Sequence, residues 1–240
     1  MTSDDLLTRV LDAHGGLERW RRTTTLSARL AIGGPFWAAR GHGDRFDLRV
    51  ALETQREHME ITYADRVSIF DVGPERLTIR DRDGQVLETR DAPRASFPAF
   101  EPETTPWDRV QLAYFHSTSN WNYLTTPFVF TYDGVEVHEI EPWQEGDETW
   151  RRLAVTFPPG NANHNADQVF SFGDDFLLRR LDYSPDVTSN PPVAHYVYDY
   201  REFDGFLLPT RRLVRLHDEQ GHADMDVVPI TVDVSDVVIR

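Results

Sequence analysis

Residues 106–130 read PWDRVQLAYFHSTSNWNYLTTPFVF, and this stretch decides the architecture. Thr105 and Pro106 make a helix start: a hydroxyl that caps, then a proline at the first helical position, where its missing N–H costs nothing. Trp107, Val110, Tyr114 and Trp121 follow helical spacing, and Leu112 and Phe115 widen the stripe. The helix is expected to end near residues 120–123, and Pro127 cannot continue it. Trp107, Tyr114, Phe115, Trp121, Tyr123, Phe128 and Phe130 crowd this one short run, so it needs a surface to be buried against. Its flanks are β-structure on both sides. The expectation is a helix that covers the mouth of a curved sheet and roofs a cavity.

Upstream, residues 3–22 read as one helix with an apolar stripe of Leu6, Leu7, Val10, Leu11, Leu17 and Trp20. Ser3 is its expected cap, and Asp4 and Asp5 suit the positive end of its dipole. Gly15-Gly16 bends or splits it. His14 beside the interruption reads as a partly exposed structural histidine. From Thr24 the period changes to two. LSARLAI is a strand, GGP turns or bulges the chain, and a meander of antiparallel strands continues to QVLETRD, with Asp83-Gly84 as a hairpin signal. Residues 91–105 break the meander with Pro93, Pro98 and Pro102, and read either as a stiff surface connection or as a lid.

Downstream, FVFTYDG leads into a second block. GVEVHEIEPW pairs with TWRRLAVTFPP across QEGDE, NADQVFSFG with DFLLRRLDYS across Gly173-Asp174, and HYVYDYREFDG with FLLPTRRLVRL across Asp204-Gly205; DVVPITVDVSDVVI closes the chain. Regularly spaced strands with turn signals indicate an antiparallel barrel, open or closed. The 240 residues contain no linker-like stretch, so one domain is expected.

Composition narrows the function. The net charge of −15 opposes binding to phosphate backbones and anionic membranes, so nucleic acid is not an expected partner. With no cysteine, disulfides, zinc fingers and thiol catalysis are excluded. No apolar run approaches the roughly 20 residues of a membrane span. The start MTSDDLLTRV lacks the basic and apolar regions of a secretory signal, so with Met1 as the native start the expected location is the cytoplasm.

The strand ending in EPW, then RRLAVTFPP, VFSFGDDFLLRRLDY, YDYREFDGFLLPTRRLV and ITVDVSDVVI, resembles the bacterial lipoprotein-carrier fold of the LolA/LolB-like group, as does the N-terminal AHGGLERW before a long strand. The resemblance implies an unclosed antiparallel barrel around helices and a cavity for apolar molecules. YFHSTSNWNYLTTPF, NHNADQVF and LLRRLDY look more like a soluble subgroup without an export signal, for which no catalytic residue carries over.

No familiar catalytic signature occurs: no G-x-S-x-G, no H-E-x-x-H, no phosphate-binding glycine loop. GGPFWAARGHG is glycine-rich but lies between strands with no following helix. The sharpest constellation is His164, Asp182 or Tyr183, and His195, which hairpin register brings to one end of the sheet. Two histidines and an aspartate suit a divalent metal or a general acid/base pair, and equally a structural role. Arg212 shares parity with Thr210, Val214 and Leu216, so it projects toward an apolar face and needs a partner, for which Asp182 and Asp199 are the candidates. Trp107, Tyr114, His116, Trp121 and Tyr123 are the candidate ligand contacts on the central stretch, His116 being the polar group that orients a ligand. His42, His58, His138, His217 and His222 read as surface or structural positions.

The sequence therefore predicts a single, mainly β domain: an incomplete antiparallel barrel with an N-terminal helix and a central helix over its mouth. The leading function is binding of a hydrophobic or aromatic small molecule in the barrel cavity. One alternative is a hydrolase, isomerase or cyclase using His164, Asp182 and His195. Another is a protein-interaction module working through an open sheet edge. No cofactor is called for; a divalent metal at those three residues is the sole candidate. The oligomeric state is open.

Overall fold

The computed structural model describes residues 3–71, 75–98, 104–189 and 191–240, with side chains from Asp5 onward. The expected cap at Ser3, the charge at Asp4 and the stiffening Pro102 fall outside what is described.

Six strands precede the central stretch: β1 Thr25–Gly33, β2 Arg45–Glu53, β3 His58–Thr62, β4 Val67–Asp71, β5 Arg76–Arg80 and β6 Val86–Asp91. Seven follow it: β7 Glu136–Glu145, β8 Glu148–Thr156, β9 Asp167–Phe172, β10 Leu178–Tyr183, β11 Val193–Phe203, β12 Phe206–Leu216 and β13 Ile230–Ile239. All form one antiparallel sheet in the order β6-β5-β4-β3-β2-β1-β13-β12-β11-β10-β9-β8-β7. The two meanders join through the chain's first and last strands, with Leu30 opposite Val234 and Ile32 opposite Val232. The free edges are therefore β6 and β7, the two strands that flank the central stretch in sequence. The sheet is not closed, in agreement with the incomplete barrel.

Alternation sets the inner face. β1 turns Leu26, Ala28, Leu30 and Ile32 inward, β2 Leu48, Val50 and Leu52, and β5 Leu77 and Ile79, all buried. In β13 the phase slips, from Ile230, Val232 and Val234 to Val237 and Ile239. The β1–β13 register shifts there between Ser27 and Arg29, and Asp236 has φ of 51°. The bulge absorbs one residue and keeps apolar side chains inward on both sides of it.

The N-terminal segment is split into α1, Ser3–Ala13, and α2, Leu17–Trp20. The split has a steric cause. Gly15 has φ of +123° and passes so close to the β11–β12 turn that a Cβ would sit 2.5 Å from the Gly205 carbonyl oxygen. The backbone of Leu207 donates to the His14 carbonyl at 3.2 Å across this approach. His14 is buried rather than partly exposed, its Nδ1 2.7 Å from the Val10 carbonyl. After β1 the expected turn at Gly34-Pro35 is instead a short helix, α3, Pro35–Ala39, which buries Trp37.

The central helix, α4, runs Arg109–Thr125. Its cap is Asp108, not Thr105: the carboxylate accepts from the backbone of Val110 and Gln111 at 2.9 and 2.8 Å, and the Gln111 side chain accepts from the Asp108 backbone. Every residue from Leu112 to Thr125 is buried, so beyond its first turn, where Arg109 is exposed, the helix has no wet face. It lies in the concave side of the sheet, surrounded more completely than a roof would be. Its hydroxyl and amide side chains largely satisfy themselves within the helix: Thr118, Asn120, Asn122 and Thr125 each donate to the carbonyl four residues earlier. FVFT, expected to run toward the second sheet block, is a 3-10 turn, Phe128–Thr131. No described helix is long and apolar enough to cross a membrane.

Candidate functional site

Two places carry unusual chemistry. The first is a buried cluster at the end of α4. Tyr123 comes from the helix, His164 from the segment between β8 and β9, Tyr183 from the end of β10 and His195 from β11. The register sets Leu181 opposite His195 and Tyr183 opposite Val193. The Tyr123 hydroxyl lies 2.6 Å from His164 Nε2 and 2.9 Å from the Tyr183 hydroxyl, and the latter is 3.4 Å from His195 Nδ1. The His164 and Tyr183 rings stack at 4.3 Å. All four residues are buried. Burial pushes His164 down to about 3 and His195 well below the usual imidazole range, the nearby Arg212 guanidinium lowering the latter further. Burial raises the Tyr123 and Tyr183 phenols. The cluster is therefore a chain of neutral donors and acceptors at neutral pH. It holds α4 to the sheet; no member is poised near 7, where a general acid or base works best.

Asp182 is not part of this cluster. Neighbouring residues on a strand point to opposite faces, so register that brings Tyr183 inward sends Asp182 outward. There Asp182 pairs with Arg180, whose Nε lies 2.7 Å from Oδ1, on the face that carries Trp150, Tyr196 and Trp143. The expected set of two histidines and an aspartate is not assembled. Among the described residues no group of three or more His, Asp or Glu is placed to hold a metal ion.

Arg212 does project inward, but neither Asp182 nor Asp199 is its partner. Its Nη2 donates to the Tyr123 carbonyl at 2.9 Å, and the guanidinium lies 4.9 Å from the centre of the Tyr123 ring. The local cause is in the sequence: the carbonyl of Tyr123 would meet the N–H of residue 127, which is a proline. Arg212 supplies the missing donor. His116 has Nδ1 3.0 Å from the Tyr63 hydroxyl and packs against Trp37 and Phe46. Burial holds it at about 3. Trp121 donates from Nε1 to the Glu53 carbonyl at 2.9 Å and ties α4 to β2. Trp107 precedes the helix and packs with Phe36, Phe97 and Phe115. Inside, α4 leaves a cavity of only ≈ 20 Å³, with His116, Ser119, Tyr123 and Tyr183 in its wall.

The second place is a cleft of ≈ 400 Å³ at the open seam of the sheet. Phe157, Pro158 and Pro159, with Ala162 and Ala166, form its apolar wall; Glu75, Arg94 and Asp186 are its charged groups, and Tyr114 is its contact with α4. Arg94 bridges the seam. It donates to the Tyr114 hydroxyl at 3.1 Å and the Asn163 carbonyl at 3.0 Å, and pairs with Asp186. Behind the wall Glu57 is buried, its Oε2 accepting from the backbone of Ala162 at 2.9 Å and from Asn161 at 3.2 Å. Burial holds this carboxyl well above the usual range. Of the expected ligand contacts only Tyr114 lines the cleft. Arg94 and Glu57 escaped the sequence reading. Their signal was weak: PPGNANHNA after a strand and a proline-rich loop before a helix, 69 residues apart at Arg94 and Asn163. Only closure of the two meanders brings them together.

No protein-family model matches the sequence, and no curated protein matches it either. The fold has counterparts among solved structures. A LolA superfamily protein from Nitrosomonas europaea superposes with a TM-score of 0.56 at 10% identity, covering 100% of this chain and 94% of that one. A DUF1329 family protein from Desulfovibrio piger gives 0.52 at 12% identity, covering 98% and 92%. At such identity the likeness concerns the backbone alone. The long antiparallel sheet wrapped round a helix is the LolA/LolB-like fold that the sequence resembles.

Proposed function

We propose that the protein binds an apolar or aromatic small molecule in the cleft at the open seam of its sheet, and that it does so in the cytoplasm. The observation that carries the reading is the cleft itself. Its ≈ 400 Å³ falls within the size of small-molecule sites, and an apolar wall faces a few fixed polar groups. The interior cavity is far too small for such a ligand without movement of α4. The LolA/LolB-like fold supports the reading, since the resemblance to lipoprotein carriers implies apolar ligands. Tyr114 and Phe157 would cover the ligand's faces and Arg94 would orient a polar edge. Removing ~150 Å² of apolar ligand surface from water contributes about 4 kcal/mol.

Titration of the purified protein with Nile red, a neutral apolar dye, tests this. Saturable binding is expected, lost in Gly160→Trp. A side chain at Gly160 meets nothing within 4 Å, so the indole has room to fill the cleft without disturbing the fold. Absence of saturable binding, or equal affinity in a folded Gly160→Trp variant, refutes the reading. Cell fractionation checks the location.

A further inference from the structure

Arg212 presents an energetic anomaly that the cleft does not explain. It is 3% exposed, and of its nitrogens only Nη2 has a partner; Nε and Nη1 are buried with none. Among the described residues no carboxylate pairs with it. The groups that act on its charge are the hydroxyl-bearing rings of Tyr123, Tyr183 and Tyr200, all neutral. Other buried arginines of the same sheet are better provided for: Arg180 has Asp182 and Glu145, and Arg215, although its Nε is also unpartnered, donates from Nη1 to three backbone carbonyls. A buried cation without a counter-charge is strongly unfavourable, and an unpartnered buried donor signals a missing ion or water.

A second group beside it is also incomplete. His195 Nε2 is buried without a partner, and the His195 ring lies 4.7 Å from the Tyr123 ring that Arg212 covers. The interior cavity adjoins this cluster: its wall includes Tyr123, Tyr183, Val214 and Val232, and Val232 is the β13 partner of Arg212. Its ≈ 20 Å³ accommodates about one water-sized species.

We propose that this cluster is an anion site, in which Arg212 Nε and Nη1 bind one small monovalent anion, a halide or a small carboxylate such as formate, inside the sheet beside Tyr123. The anion neutralises the guanidinium that caps α4 and so locks the helix to β12. The site is separate from the seam cleft and does not depend on it.

The test is thermal unfolding of the full chain at fixed ionic strength, with sodium gluconate, whose anion is too large for the site, replaced stepwise by chloride or by formate. A saturable rise of the melting temperature is expected for at least one of the two, since a ligand that binds only the folded state stabilises it by mass action. The two series distinguish a halide from a carboxylate. Arg212→Met should abolish the rise. Where that variant does not fold, chloride-35 NMR of the wild-type protein replaces it: line broadening reversed by bromide or formate is expected. In the same samples the His195 ring should titrate at a higher pH when the anion is present, a change that general salt stabilisation does not produce. Melting that is indifferent to both anions, an equal rise in Arg212→Met, or, where chloride raises the melting temperature, a chloride line that neither competitor sharpens overturns the proposal.

Discussion

Lowering the pH from 7.5 to 5 should destabilise the protein far more than its surface charge alone suggests. Four histidines, His14, His116, His164 and His195, are buried among apolar groups. Burial lowers His14 to about 4, His116 and His164 to about 3, and His195 well below its usual range. In the unfolded chain each protonates near 6.5, so each favours unfolding as the pH falls below that value and until its folded value is reached. From pH 7.5 to pH 5 this costs about 2 kcal/mol per histidine, or about 6 kcal/mol for the three whose folded values are given. His195 adds to the loss with the same sign. Glu57 opposes it. Burial raises its carboxyl well above the usual range, whereas in the unfolded chain it ionises near 4.5, so acidification toward pH 5 favours the folded state through this group, and the carboxyl of Asp182, also raised by burial, acts with the same sign. The four buried histidines gain about four protons on unfolding near pH 5.5, His42 adds to this with the same sign, and Glu57 and Asp182 subtract from it, so a net uptake of about two to four protons is expected. The loss is comparable with the whole stability of a typical domain, about 5–15 kcal/mol. Urea unfolding followed by tryptophan fluorescence across pH 5–7.5 measures the slope. In Glu57→Gln, where the larger opposing group is gone, the uptake should rise, by at most about one proton. An uptake below about one proton in the wild-type chain, or ring protons of His14, His116, His164 and His195 that titrate near 6.5 in the folded protein, refutes the reasoning.

Two further outcomes follow from single side chains. Asp108→Ala removes the side-chain half of the α4 capping box, in which the carboxylate accepts from Val110 and Gln111, and the ion pair of Asp108 with Arg90 at 2.8 Å, and should cost about 1–2 kcal/mol in urea without changing Nile red affinity. Tyr123→Phe deletes the hydroxyl that joins His164 to Tyr183 and leaves buried imidazole and phenol groups unpartnered; a loss of about 1–3 kcal/mol at pH 7.5 is expected, and a change under about 0.5 kcal/mol would show that the bonds contribute nothing net.

The fold was legible in sequence because it rests on local periodicity. Alternation from Thr24 onward, turn signals such as Gly173-Asp174 and Asp204-Gly205, and the aromatic stretch between two meanders each state a local preference, and the LolA/LolB-like resemblance agreed with them. Errors arose where local signals tie. Thr105-Pro106 and Asp108-x-x-Gln111 are both good helix starts, and the second won because its box satisfies two backbone donors at once. The sequence marked only an apolar stripe on α4, but seven polar residues are buried with it; they are serine, threonine, asparagine and histidine, and most bond to the helix itself. The histidine pair was found from hairpin register. The choice of Tyr183 over Asp182 turned on one residue of parity, which reverses the face.

By itself the sequence determined the strands, their order along the chain, the presence of a central helix and the placing of Arg212 on an inner face, because periodicity and proline act over a few residues. Tertiary structure alone decided what those residues meet. That β1 and β13 join the meanders, that Arg94 spans the seam to Asn163 and Asp186, and that Arg212 lies on the Tyr123 carbonyl with two nitrogens unpartnered all depend on contacts between segments far apart in the chain. Burial, which sets the charge state of every histidine in the core, is a property of the packed sheet and helix together, and no local pattern specifies it.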